Sequence, residues 1–255
     1  MKKTIIILIA CMLMVSGCGK TKNTVNSLDD LEGKTIGVQM KTTGDIYSSD
    51  IKDAQIKRFN KGEDAVKALR KGVVDAVMID DEPAKVFVEK YEDVKILSEP
   101  YAEEEYGIAV NKEEQKLLRQ IDQALDELKK EGTLDEIKKA WLQDGEKKTA
   151  YSSKSSKTGQ TELIMATNAE FPPYESKDSS GEIVGIDVDM MKAVCDKLDR
   201  KLKITDTAFD SIVVNVERKM ADAGVAAMTI TEERKKYVDF SDSYMTATQV
   251  VIVRK

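Results

Sequence analysis

From Lys34 onward, short apolar runs rich in β-branched residues alternate with stretches whose apolar positions recur at helical spacing. KTIGVQ predicts a strand, a helix opens near Gly44, and QIKRF, EDAVKALRKG, VDAVMI, EPAKVFVEKY and VKILS continue the alternation. This βαβ order predicts an α/β fold with a mostly parallel sheet covered by helices. EYGIAV predicts another strand, and EEQKLLRQIDQALDELKKEG and TLDEIKKAW predict two helices parted at Gly132, with Thr133 placed to cap the second. Residues 143–160, QDGEKKTAYSSKSSKTGQ, hold almost no large apolar side chains and predict a solvated linker. The alternation resumes with TELIMAT, EIVGIDVDMMKAVCDKLD, KLKITD, FDSIVVNVERKM, ADAGVAAMT, TEERKKYV and TATQVVIVRK. No repeat of roughly 20 to 50 residues is present, which argues against a solenoid.

The N-terminal MKKTIIILIACMLMVSGC breaks this pattern: two lysines, an apolar run and small residues before Cys18 read as an export signal. The apolar run is shorter than the roughly 20 residues of a membrane-spanning helix. VSGC resembles the lipobox of bacterial lipoproteins, which implies cleavage before Cys18 and a lipid on its sulfur. With Cys11 in the signal and Cys18 lipidated, Cys195 is left as the lone cysteine of the folded part and reads as a buried small hydrophobe. The 255 residues suit one large domain or two small ones. A net charge of -6 offers no general attraction for nucleic acid, and the absence of histidine removes Ser/His/Asp and Cys/His catalysis and every histidine zinc site.

In an open α/β sheet, ligands bind beyond the carboxyl ends of the strands. Four segments fall there: NAEFPPYE, TITEER, KTTGD and DDEP. Arg234, in the first turn of a helix capped by Thr231, stands within reach of an anion held at Thr229, although its charged neighbours suit a solvated helix surface equally well. Thr42, Thr43 and Gly44 offer amides and hydroxyls to an anion, or simply a strand-to-helix turn. Asp80 suits an ammonium group, or else caps the helix that Pro83 enters. In a chain with only 5% aromatics, Phe171 and Phe209 stand at strand ends, where they either flank a ligand or pack into the core. The acidic run DDE lacks the alternating spacing of a calcium loop, and no phosphate-binding glycine motif occurs, so neither metal nor nucleotide cofactor is expected.

Taken together, NAEFPPYE, GIDVDMMKAV, AFDSI, AAMTITEERKKYVDFSDSY, SLDDLEGKTIGVQMKTTGD, VDAVMIDDEPAKVFV and EEEYGIAV resemble the polar amino-acid solute-binding proteins of bacterial ABC transporters. The resemblance covers nearly everything after residue 26 and implies a two-lobe, type II periplasmic-binding-protein-like fold. Members usually begin with the lobe carrying FPPYE and TITEERKK (lobe 1), cross to the lobe carrying DLEGKTIGVQ and DAVMID (lobe 2), then return. Here lobe 2 comes first, so the chain resembles a circular permutant opened at the crossing that would join VVIVRK to SLDDLEGK. The expected division is a signal at 1–18, a tether at 19–26, lobe 2 at 27–102, a hinge strand and the closing helices of lobe 1 at 103–142, the linker at 143–160, and the main part of lobe 1 with a C-terminal hinge strand at 161–255. TATQVVIVRK must then complete lobe 2 non-covalently, within a monomer or by swapping.

Residue by residue, the resemblance implies that Arg234 pairs with a ligand α-carboxylate, supported by Thr229 and by Thr42 and Thr43. Asp80 takes the α-ammonium, Phe171 and Phe209 flank the side chain, and Asn168 reaches its far end. Members that prefer cationic side chains often have aspartate at the Asn168 position; Glu170 is a nearby source of negative charge. Ala227 stands where many members have glycine. The implied protein is a lipid-anchored extracytoplasmic receptor with an amino-acid ligand and an ABC permease partner. A ligand-sensing or dehydratase-like protein on the same fold is the alternative, the enzymatic version being weakened by the lack of histidine.

Overall fold

This computed structural model describes residues 24–142, 151–153 and 161–255. The predicted signal, the Cys18 lipidation and most of the predicted linker lie outside the described residues. Lobe 2 alternates β1 (Thr35–Gln39), α1 (Thr43–Ser49), β2 (Gln55–Phe59), α2 (Gly62–Arg70), β3 (Ala76–Asp80), α3 (Asp81–Lys90) and β4 (Val94–Ile96). β5 (Ala102–Tyr106) crosses to lobe 1, where β6 (Ala109–Asn111), α4 (Gln115–Lys130) and α5 (Thr133–Leu142) follow. Lobe 1 continues with β7 (Glu162–Thr167), β8 (Glu170–Phe171), β9 (Glu175–Lys177), β10 (Ile183–Val184), α6 (Ile186–Leu198), β11 (Lys201–Asp206) and α7 (Phe209–Glu217). It closes with β12 (Ala223–Gly224), α8 (Glu232–Lys235) and β13 (Val238–Phe240), after which β14 (Met245–Arg254) returns to lobe 2.

The alternation read from the sequence explains these elements. β1 and β3 are buried on both faces because helices cover the sheet on each side. α2 turns Ala65, Val66 and Leu69 inward, and its acidic first turn and basic last turn match the helix dipole. Lobe 2's sheet has the order β2-β1-β3-β14-β4, with β5 also on β14. Lobe 1's sheet runs β11-β7-β12-β6-β13. β2, β1 and β3 are mutually parallel, as are β11, β7 and β12. The mostly parallel expectation fails at the crossings: β14 is antiparallel to β3, β4 and β5, and β6 is antiparallel to β12 and β13. A strand arriving from the other lobe enters without a right-handed helical crossover, so nothing imposes parallel pairing on it.

β14 spans the two lobes. Its first half pairs with β5, from Met245 opposite Tyr106 to Gln249 opposite Ala102, and its second half sits between β3 and β4. Val251 and Val253 pack in one cluster with Val25, Leu31, Ile36, Val38 and Met78. The N-terminal segment of lobe 2 and its C-terminal strand thus share a core.

The linker differs from expectation where it is described. Tyr151 donates from its backbone N–H to Asp189 Oδ2 (3.0 Å) and from its hydroxyl to Asp196 Oδ2 (3.1 Å), and Ser153 Oγ donates to Asp196 Oδ1 (2.5 Å). Tyr151 is the large apolar-bodied side chain of an otherwise small and polar stretch, and it packs against the core beside α6 rather than staying solvated. Cys195 is buried in α6 as expected, and burial pushes its thiol up to about 12, leaving it unreactive.

Gly185 fixes where α6 begins. Its φ of +144° and the closeness of Tyr174, whose carbonyl oxygen would lie 2.0 Å from an added Cβ, exclude any side chain. The backbone there is clamped by Ile186 N–H to Pro173 O and Asp187 N–H to Tyr174 O, both 3.1 Å. FPPYE and GIDVD are thereby locked together behind the site.

Candidate functional site

Between the lobes lies a narrow cavity. Lobe 2 contributes Gln39, Thr42, Thr43 and Asp80, from the ends of β1 and β3 and the start of α1. Lobe 1 contributes Asn168, Phe171, Phe209, Ala227, Thr229 and Arg234, together with Ala226. Every ligand-contact residue expected from the sequence reaches this one cavity. Gln39 and Ala226 were not anticipated.

Arg234 is 8% exposed, so the solvated-helix reading does not describe it. Thr231 caps α8 by accepting from Arg234 N–H (3.2 Å), which turns the side chain inward. The guanidinium donates to Thr229 O (2.6 Å) and, across the lobes, to Lys41 O (3.1 Å), and lies 5.3 Å from the Phe209 ring centre. Burial pulls its pKa down to about 10, opposed by Glu104 and Asp80, so it remains a cation at neutral pH. The neighbouring charges that favoured a surface reading pair among themselves instead, Lys235 with Glu232 and Lys236 with Glu233.

Asp80 occupies the N-cap position of α3, yet its carboxylate makes no capping hydrogen bond. It accepts from Gln249 Nε2 (2.6 Å) and from the Tyr106 hydroxyl instead. Burial first, and the Glu104 carboxylate second, push Asp80 up to about 7. Glu104, on the crossing strand β5, is buried and accepts from Thr229 Oγ1 and Gln249 Nε2, both at 3.1 Å. Thr43 Oγ1 lies 3.5 Å from Thr229 Oγ1 across the lobes. Thr42 behaves as a turn residue: its hydroxyl donates to Gln39 O (2.8 Å) and caps α1 by accepting from Asp45 N–H (3.4 Å). It lines the cavity with that hydroxyl already engaged.

Asn168 donates to Thr207 O (2.8 Å) and accepts from Gln39 Nε2 (2.9 Å) across the lobes. Phe171 is buried and stacked on Tyr174, with ring centres 6.1 Å apart. Glu170 does not line the cavity; it pairs with Lys61 of the opposite lobe at 2.6 Å, so its charge is met at the rim. Ala227 has a φ of +44°, a conformation that costs a non-glycine residue about 1 kcal/mol, which supplies a backbone reason for glycine at this position.

A second carboxyl pair lies one layer behind the site. Asp187 accepts from Ala227 N–H (2.7 Å) and from the Tyr244 hydroxyl (3.0 Å), and burial pushes it up to about 6. Glu175 is fully buried, and burial together with Asp187 raises it well above the usual carboxylate range. Neither was assigned chemistry from the sequence; the available signal was acidic residues inside two otherwise apolar motifs, one in FPPYE and two in GIDVD. Among the described residues no acidic, cysteine or histidine cluster is arranged to hold a metal, and no helix is long and apolar enough to cross a membrane.

Chemically, the cavity sets a guanidinium on one lobe and a carboxylate on the other, with aromatic walls between them. Such an arrangement complements a zwitterion carrying a side chain. The chain is 38% identical over 104 residues to the arginine-binding extracellular protein ArtP of Bacillus subtilis, covering 41% of this chain and 40% of that one. It is 39% identical over 93 residues to ABC transporter arginine-binding protein 1 of Escherichia coli K12, covering 36% and 38%. Among solved structures, an ancestral arginine-binding protein bound to arginine is 43% identical, with a TM-score of 0.33 over 34% of this chain and 39% of that one. The chain spans about 40% of the length of the curated relatives it matches. The model of the bacterial extracellular solute-binding proteins, family 3, matches residues 32–144 and 163–255, and the chain belongs to that family.

Proposed function

We propose that this protein is an extracytoplasmic receptor that captures a polar amino acid between its lobes and delivers it to an ABC permease. The observation that carries this reading is the buried Arg234 guanidinium facing the same cavity as the buried Asp80 carboxylate, each from a different lobe. Relatives named for binding arginine or histidine support an amino-acid ligand. Because the contacts are divided between lobes, ligand favours the closed arrangement, in which Gln39 reaches Asn168 and Arg234 reaches Lys41 O. Calorimetry of Arg234→Ala tests the assignment: affinity for the amino acid falls by about 3 kcal/mol or more as the α-carboxylate loses its charged partner. Unchanged affinity in that variant overturns it.

The same proposal includes lipid anchoring at Cys18 and a circularly permuted lobe order. Permutation is supported by a family match that falls in two blocks, residues 32–144 and 163–255, and by Val25 sharing a core with Val253. β14 completes lobe 2 within a monomer on this reading. A sizing measurement returning a stable dimer would favour strand exchange instead.

A further inference from the structure

The cavity that holds Arg234 and Asp80 is also lined by two carboxamides, Gln39 and Asn168. Asn168 is locked by donating to Thr207 O (2.8 Å), which leaves its Oδ1 as the acceptor for Gln39 Nε2 (2.9 Å) and fixes both amide orientations. Both residues are buried, at 6% and 4% exposure, and Gln39 Oε1 has no hydrogen-bond partner among the described residues. The cavity lining contains one cation, Arg234, and one carboxylate, Asp80. An amino-acid zwitterion uses both, and no ionised group in the lining remains to balance a charged side chain. The nearby acids are already matched: Glu170 is paired with Lys61 (2.6 Å) and Asp206 with Lys177 (2.7 Å). Each of these acids is thereby neutralised by its own lysine, so the two pairs offer no net negative charge to offset a second cation.

We infer that Gln39 and Asn168 form a two-lobe carboxamide clasp that selects amino acids whose side chain ends in a neutral hydrogen-bonding group, a carboxamide or a ureido group, over those ending in a cation. This rests on the amino-acid receptor reading above and narrows it. Desolvating a guanidinium or ammonium against two neutral amides leaves a buried charge uncompensated, whereas a carboxamide or ureido N–H satisfies an amide oxygen at no such cost. Gln39 is the specificity-determining residue supplied by lobe 2, so the preference is read only when the lobes close.

Citrulline and arginine provide the test, since they differ at one end group and are nearly equal in size. Calorimetry on the wild-type protein with citrulline, glutamine and arginine is expected to show citrulline or glutamine binding at least about tenfold more tightly than arginine. Asn168→Asp, which places a charge at the clasp, is expected to reverse the order of citrulline and arginine, a change that a merely structural role for Asn168 would not produce. Arginine binding wild-type protein as tightly as both neutral ligands overturns the inference while leaving the receptor reading intact, and that comparison needs no variant to fold. Failure of every common amino acid to bind overturns the receptor reading and the inference with it.

Discussion

Two pairs of buried carboxyl groups lie close to the cavity, and they do different things. Asp80 with Glu104 sits where lobe 2 meets the hinge and is held by Tyr106, Gln249 and Thr229; Asp187 with Glu175 sits inside lobe 1 and holds the Ala227 amide and the Tyr244 hydroxyl. Asp80 and Asp187 are both raised by burial, to about 7 and about 6. A perturbed carboxyl therefore does not by itself mark a ligand contact. What separates the two is whether the group faces the cavity, as Asp80 does, or acts through the backbone that shapes it, as Asp187 does.

Substitutions should pull the pairs apart. The largest effect is expected from Asp187→Ala, which strands the Ala227 N–H and the Tyr244 hydroxyl: a stability loss of about 4 kcal/mol in denaturant unfolding. Glu175→Gln, in contrast, replaces a buried carboxyl that does not line the cavity with a neutral amide of the same shape, and ligand affinity should stay within about twofold. Asp80→Asn is expected to cost about 3 kcal/mol of ligand affinity by calorimetry, with little loss of ligand-free stability, because it removes a buried charge together with the proposed ammonium contact. Equal affinity losses in Asp80→Asn and Glu175→Gln would abolish the distinction.

Acidity supplies a smaller and more diagnostic difference. A carboxyl raised in the folded state stabilises it fully below the ordinary value near 3.8, and this contribution is lost as pH rises through about 6 for Asp187 and about 7 for Asp80. Ligand-free stability should thus decline from mildly acid to neutral pH. In the role proposed for Asp80, binding an ammonium needs its ionised form, so affinity should run the other way, rising about tenfold between pH 6 and 8 with release of a proton. Titrations in buffers of different ionisation enthalpy would detect that proton, and Asp80→Asn should eliminate it. The smallest change expected is from Ala227→Gly: relief of the positive φ should stabilise the fold by about 1 kcal/mol, seen as a raised Tm.

Much of this was legible along the chain. Period-two and helical runs marked the strands and helices, and strand ends followed by polar clusters marked the cavity. The residues that orient the site were harder to see. Asp80 takes its hydrogen bonds from Tyr106 and from Gln249, the latter 169 residues away, and Asn168 meets Gln39 across a separation of 129. No local pattern encodes such partners, since they exist only once both lobes and the hinge strand are assembled. The antiparallel entry of β14 and the docking of Tyr151 on α6 were hidden for the same reason: each is a tertiary contact of a segment whose own composition is unremarkable.

The position of β14 has a consequence for biosynthesis. Lobe 2 occupies the earlier part of the chain, but its sheet needs residues 245–254 between β3 and β4, a pairing of high sequence separation whose loop entropy must be met before the contact forms. As the chain is translated or exported, β3 and β4 emerge long before their neighbour and wait with unpaired edges, exposed to any other extended segment. The lobe made first is the last to be finished, and lobe 1 serves as the platform that brings its missing strand home.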